Sequence, residues 1–232
     1  MKRVLVTGGS KGIGLEIVKE FLARECEVYV LARNSSSIPS DILDKIHFIS
    51  FDLNNVTKIE NIVKETGGID VLVNNAAVLN SLPYDDYDHE KRNNLINVNM
   101  IAPVELITQY SELMIQKGGG RIVNISSIAG LIGQSDVWYA ISKAGIINMT
   151  KTFAKLIGSK GVVVNAVAPG PVNTKMFSLI PEDRRKKVLD RTISGSPAEP
   201  NDIAKVVAWL ALESPAHLNG VCIDMTNGAT LR

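Results

Sequence analysis

Cysteine is scarce. Cys26 and Cys222 are the only two in 232 residues, they lie far apart, and neither belongs to a CxxC or Cys/His spacing, so neither a zinc site nor a disulfide framework is expected. A reducing cytoplasm is the expected setting. The three histidines, His47, His89 and His217, share no motif and are read as ordinary surface or satisfied side chains. Charge of either sign is also lacking in excess: 25 Lys and Arg stand against 24 Asp and Glu, a net charge of +1. That balance leaves no electrostatic footprint for DNA or RNA, whose phosphates call for a basic patch. Long apolar runs are missing too. Val4-Leu5-Val6 ends at Thr7-Gly8, too short for a signal-peptide core or a membrane span, and nothing elsewhere reaches membrane length.

What remains is 45% hydrophobic with 5% aromatics and 18 glycines, a composition of aliphatic strands and small turns that reads as a soluble globular protein. Strand-like runs occur at Val4–Val6, Val28–Leu31, His47–Phe51, Val71–Val73, Arg121–Ile125, Val162–Val167 and Val221–Met225. Helical patterns at 13–25, 55–66, 93–117, 138–157 and 200–213, with a shorter one near 182–192, separate them. Such alternation predicts an α/β fold, a doubly wound parallel sheet of about seven strands with helices on both faces. The length alone leaves room for one large or two small domains. No repeat, low-complexity tract or linker appears, and Asn34–Ser40 reads as a loop inside one unit.

Four motifs carry chemistry. Thr7-Gly8-Gly9-Ser10-Lys11-Gly12-Ile13-Gly14 follows the first strand and opens the first helix. Glycines there let the backbone approach a pyrophosphate, whose charge the helix N-terminus stabilises. The second strand ends in Leu31-Ala32-Arg33-Asn34, where an acidic residue would accept from the free 2′-hydroxyl of NAD. Ala32 removes that acceptor, and Arg33 with Lys11 supplies cations for the 2′-phosphate of NADP; the alternative is that both are solvated bases. In Phe51-Asp52-Leu53, Asp52 suits either the adenine amino group or a turn. Val71 to Val73 run into Asn74-Asn75-Ala76-Ala77, two amides that can tie strand ends and two small residues that leave room for a flat ligand.

The fourth motif is Asn124-Ile125-Ser126-Ser127, followed by Tyr139-Ala140-Ile141-Ser142-Lys143. Four residues apart on a helix, Tyr139 and Lys143 share a face. An ammonium beside a phenol is expected to lower the tyrosine pKa from about 10 toward neutrality, as a general acid or base requires. Alone, such a pair would more often be an exposed helix face.

Together these motifs resemble the short-chain dehydrogenase/reductase family, in its TGxxxGIG, NNAG and YxxxK branch, with the general appearance of 3-oxoacyl-(acyl-carrier-protein) reductases. The resemblance covers essentially the whole chain and includes Val164 to Thr174 and Asn219 to Asp224. It implies a Rossmann-type domain spanning 1–232 and a catalytic tetrad of Asn99, Ser127, Tyr139 and Lys143. It further implies that Gly8, Ser10, Lys11, Gly12, Ile13 and Gly14 hold the pyrophosphate and Arg33, Asp52 and Leu53 flank the adenosine. Asn75, Ala76, Ala77, Pro169, Gly170, Val172, Thr174, Tyr139 and Lys143 would line the rest of the dinucleotide, NADP(H) being favoured over NAD(H). Two departures stand out: Ala77 replaces a glycine, and Ser127 precedes Tyr139 by one residue fewer than is common. Ser126 would restore the spacing, but the motif register favours Ser127.

The implied activity is reduction of a ketone or β-ketoacyl thioester to a secondary alcohol with Tyr139 as general acid. The alternatives are a dehydrogenase acting on a steroid, sugar or polyol, and a non-catalytic nucleotide-sensing or scaffold protein. Substrate contacts are expected from 175–200, where Met176, Phe177, Leu179 and Ile180 line a pocket or pack a lid helix. Trp138 and the Ile128–Val137 loop would form the opposite wall. Glu182-Asp183-Arg184-Arg185-Lys186-Lys187 reads as a solvated helix face, or more sharply as a dock for an acidic acyl carrier protein. Trp209 is read as core. The helices at 93–117 and 138–157 predict a homo-oligomer, dimer or tetramer; no metal, nucleic acid or membrane is expected.

Overall fold

In the computed structural model, which describes residues 1–178 and 180–231, the chain forms one sheet of seven parallel strands in the order β3-β2-β1-β4-β5-β6-β7. The strands are β1 (Arg3–Thr7), β2 (Glu27–Ala32), β3 (His47–Ser50), β4 (Val71–Asn74), β5 (Gly120–Ile125), β6 (Val162–Pro169) and β7 (Cys222–Met225). Helices α1 (Gly12–Ala23), α2 (Ser40–Leu43), α3 (Ile59–Thr66), α4 (His89–Ile96) and α5 (Ala102–Gln116) make the first crossovers. The later ones are α6 (Ala129–Ile132), α7 (Val137–Ile157), α8 (Lys175–Ser178), α9 (Glu182–Leu189) and α10 (Pro200–Leu212).

Successive strand side chains point to opposite faces, and each face has its own core. Val4, Val6, Val28, Val30, Val71 and Val73 pack with Ile17, Val18 and Phe21 of α1 and Ile203, Val207 and Leu210 of α10. Leu5, Leu31, Leu72 and Ile122 face the other way, onto Ile59 and Ile62 of α3 and Leu106, Tyr110 and Met114 of α5. Both faces are therefore apolar, which is why the strands read as continuous aliphatic runs rather than alternating ones. The chain reverses its direction of sheet growth between β1 and β4. Ligands in open α/β sheets bind in the crevice that such a reversal leaves at the carboxyl ends of the strands, and Thr7 and Asn74 mark it here.

Three details differ from the sequence reading. The helix expected at 93–117 is α4 and α5 joined by a π-helical turn over Asn97–Ile101, because Asn99 turns its side chain to the backbone of Val78. The one at 55–66 starts as a 3-10 turn, Val56–Lys58. Trp209 is not core: the packed stripe of α10 is Ile203, Ala204, Val207, Ala208 and Ala211, and helical periodicity turns Trp209 outward with Lys205, leaving it 38% exposed.

Candidate active site

The glycine motif forms a closed turn between β1 and α1. Gly8 and Gly12 have φ of +67° and +55°, a backbone region that side chains rarely adopt. A Cβ on Gly14 would lie 2.2 Å from the Gly8 carbonyl oxygen, so helix and turn approach too closely for any other residue. No side chain caps α1, so its first turn keeps the unpaired N–H groups that suit an anion. Ser10 and Ile13 are half-buried in this turn. Across the crevice, Thr7 Oγ accepts the N–H groups of Asn75 (3.0 Å) and Ala76 (3.1 Å). Asn75 Nδ2 donates to the carbonyls of Thr7 (2.9 Å) and Gly8 (3.2 Å). The ends of β1 and β4 are thus tied at the switch point. A Cβ on Gly12 would come 3.6 Å from Thr174 Cγ2, so the loop after β6 reaches the turn from the opposite side. Its start is fixed by hydrogen bonds from Ile128 N–H to Pro169 O and from Gly170 N–H to Met225 O, with Val172 buried beneath it.

Beyond β2, Ala32 is buried while Arg33 and Lys11 are exposed, and neither cation has an ion pair among the described residues. Asp52 spends one carboxylate oxygen on a turn, accepting the Asn54 N–H at 2.9 Å, and Leu53 beside it is buried. Asn74, at the end of β4, donates to Asn124 (2.9 Å), which donates to Thr150 of α7 (3.0 Å). This buried polar chain fixes α7 against β4 and β5.

The four tetrad positions converge at the ends of β5 and α7. Tyr139 and Lys143 are 8% and 2% exposed, which excludes the solvated-face reading. Lys143 Nζ donates to the Ile125 carbonyl at 2.8 Å and stands 5.7 Å from the Tyr139 ring centroid. Of the two serines, Ser126 donates to the Lys143 carbonyl at 2.7 Å and is turned into the helix. Ser127 is half-buried, its Oγ accepts the Ala129 N–H at 3.1 Å, and its hydroxyl opposes the rise that burial imposes on the Tyr139 phenol. Asn99 Oδ1 accepts the Val78 N–H (2.8 Å), and its Nδ2 donates to Val78 O (2.9 Å) and Ser142 Oγ (3.1 Å). It therefore joins the segment after Ala77 to α7.

The expected lowering of the tyrosine pKa is overturned. Burial pushes Tyr139 up to about 12, with Ser127 opposing and Asp136 adding to the rise. Burial also brings Lys143 down to about 8. Desolvation disfavours a phenolate and an ammonium alike, and the lysine is held to a backbone carbonyl rather than to the phenol. Burial thus favours the protonated Tyr139 phenol.

Sequence reading passed over two residues of the site. Thr7 organises the crevice through its hydroxyl, although it was visible only as the first letter of the glycine motif. Asp136, 1% exposed, caps α7 by accepting the Tyr139 N–H at 3.1 Å; an Asp three residues ahead of a helix-opening tyrosine is the signal that was there. On the substrate side, Phe177 and Ile180 are half-buried and Met176 is exposed, while Leu179 lies outside the described residues. No group of three His, Cys, Asp or Glu among the described residues could hold a metal, and no helix among them is long and apolar enough to cross a membrane.

A glycine cradle at a sheet switch point, beside a buried Tyr and Lys with Ser127 at the end of the neighbouring strand, defines an NAD(P)-dependent oxidoreductase. The short chain dehydrogenase family profile matches residues 2–185, and the chain belongs to that family. It is 31% identical to the 3-oxoacyl-(acyl-carrier-protein) reductase FabG of Vibrio harveyi over 235 residues, 98% of this chain and 96% of that protein. It is 30% identical to a 3alpha-hydroxysteroid dehydrogenase of Mediterraneibacter gnavus over 241 residues, again 98% and 96%. Among solved structures, a protein of Beutenbergia cavernae designated an NAD(P)-dependent gluconate 5-dehydrogenase, with NADP bound, superposes with a TM-score of 0.91 at 27% identity. That match covers 98% of this chain and 96% of the other.

Proposed function

We propose that the protein is an NADPH-dependent carbonyl reductase acting on a ketone or β-ketoacyl thioester, with Asn99, Ser127, Tyr139 and Lys143 as its working residues. The observation that carries this is the burial of Tyr139 and Lys143 together on α7, the Lys143 ammonium 5.7 Å from the Tyr139 ring centroid, with Ser127 just past β5 in the same sheet whose first strand opens into the glycine cradle. Gly8 to Gly14 would hold the pyrophosphate, Arg33 and Lys11 the 2′-phosphate, Leu53 and the free oxygen of Asp52 the adenine, and Asn75, Ala76, Ala77, Pro169, Gly170, Val172 and Thr174 the nicotinamide half. NADPH, when bound, supplies the hydride for the carbonyl carbon. Ser127 orients the carbonyl oxygen, and Tyr139 gives it a proton. The phenolate so formed is neutralised by the Lys143 ammonium, and Asn99 holds the backbone beside them. The similarity to 3-oxoacyl-(acyl-carrier-protein) reductases supports an acyl thioester, and the bases of α9, Arg184 to Lys187, which have no ion pair among the described residues, would suit its acidic carrier protein. The scarcity of cysteine, two in the whole chain, suits the cytoplasm. A second reading, oxidation of a steroid or sugar alcohol, is supported by the steroid and gluconate relatives.

The test follows NADPH absorbance with a panel of β-ketoacyl thioesters, ketosteroids and keto-sugars. Oxidation of NADPH with one class, lost about 100-fold or more in Tyr139→Phe as befits a general acid, is the expected result. Silence across the panel, or full activity in Tyr139→Phe, would refute the proposal.

A further inference from the structure

Asp136 holds more than a helix end needs. An ordinary N-cap accepts one or two N–H groups at the surface, as Asp88 does for α4, half-exposed and paired with Lys91. Asp136 is almost wholly buried, a costly place for a carboxylate unless its oxygens are saturated. It has no Lys or Arg partner among the described residues. Neutral donors saturate it instead. Oδ1 accepts the Tyr139 N–H (3.1 Å) and the Tyr87 hydroxyl (3.0 Å), and Oδ2 accepts the Ser81 N–H (2.8 Å). The last two come from a segment some 50 residues upstream. Tyr87 in turn accepts from Asn80 Nδ2 at 3.1 Å.

The segment that Asp136 grips leads directly from the cradle. Asn99 holds it at Val78, and Val78, Leu79, Tyr87 and Trp138 pack around Leu95, Ala129 and Tyr139. Arg92 of α4 stands 5.5 Å over the Trp138 ring. One carboxylate therefore clamps the backbone of Tyr139 to the stretch 78–88 that walls its pocket.

We infer that Asp136 is a positioning residue: by binding Tyr139 N–H, Tyr87 and Ser81 at once, it sets the Tyr139 phenol in place and holds the 78–88 wall against it. This rests on the proposed role of Tyr139 as proton donor. The carboxylate also acts through charge. Tyr87 from the wall and Tyr139 from α7 are the titratable groups that feel it, with Arg92 beyond the Trp138 ring. Both tyrosines are raised to about 12, burial leading and the Asp136 charge adding to it. Asp136 thus helps keep the donor protonated.

Asp136→Asn keeps an acceptor for the Tyr139 N–H but removes the charge; Asp136→Ala removes both, and Tyr87→Phe removes one donor. Two readouts are taken on each folded protein: the Tyr139 phenol titration by tyrosine ring-carbon NMR, assigned with Tyr139→Phe, and amide exchange over 78–88. The first needs no turnover, so it answers even if the carbonyl panel is silent, which would count against the reductase reading alone. In Asp136→Asn, Tyr139 should titrate at lower pH, and amide exchange at Ser81 should speed up in all three variants. Where turnover is present, kcat should fall by up to about 100-fold in Asp136→Ala, as for a misplaced reacting group, with the NADPH KM little changed. Asn should rescue part of that loss. If Asp136→Ala does not fold, Asp136→Asn and Tyr87→Phe decide. Unchanged Tyr139 titration with unchanged exchange at Ser81 in those two would overturn the inference.

Discussion

Tyr139 and Lys143 show how far residue types can be read and where the reading stops. Their four-residue spacing announces a shared helix face, but whether that face looks outward, and what the surroundings do to each proton, are properties of the packed site. Burial moved the two pKa values toward each other's charge-free forms rather than lowering the tyrosine. For Lys143, brought down to about 8, the charged form is present below that pH and lost above it. The kcat/KM for NADPH, which reports the free enzyme, should therefore decline as pH rises through about 8. A profile flat to pH 10 would show the lysine retaining its ordinary value. At the other end of the crevice, Arg33 is exposed and without an ion pair among the described residues, so its contribution is a separable one. Arg33→Ala should raise the KM for NADPH about tenfold, in line with a charged hydrogen-bonded contact, and leave that for NADH unchanged. Equal effects on the two would mean that Arg33 is a solvated base.

Elements were legible where one physical signal dominated. Parallel strands buried on both faces give aliphatic runs, and all seven appear within a residue or two of their expected places. The glycine turn was legible because close approach admits nothing else. What stayed hidden were elements shaped by tertiary contact: the short helices α2 and α6, and the π-turn at Asn97–Ile101; α8 falls where a lid helix was one of two readings. Nothing in the periodicity of 93–117 separates an α from a π turn, since the extra residue is accommodated by Asn99 bonding Val78 across the chain. Asn99→Ala should leave the Val78 N–H and C=O without partners, costing about 1–3 kcal/mol, measurable as a lower midpoint in urea. An unchanged midpoint would show that the turn is held by packing alone. Gly14→Ala acts on the other side of the crevice. Its methyl has no place 2.2 Å from Gly8 O, so the cradle must open, and NADPH affinity by fluorescence titration should drop well before the overall fold is lost. Retained affinity would mean that the turn can shift without cost.

The whole molecule leaves its two central crossover helices incompletely covered. Ile141 and Leu156 of α7, with Val104 of α5 and Ile101 at the end of the π-turn before it, are 38–61% exposed, although α5 and α7 each bury their other apolar stripe. Single exposed aliphatics are ordinary, but two adjoining helices each with exposed apolar positions suit a self-complementary surface, as a two-fold dimer requires. The sequence anticipated this from the width of the apolar stripes; it could not show which residues stay outside once the sheet is covered. A homodimer or tetramer is the expected state, read as mass by light scattering. Ile141→Lys with Val104→Glu places unlike charges at positions that a dimer would desolvate, and should shift that mass toward one chain while the circular dichroism spectrum is kept. A native protein already at the mass of a single chain would show that the two helices face solvent.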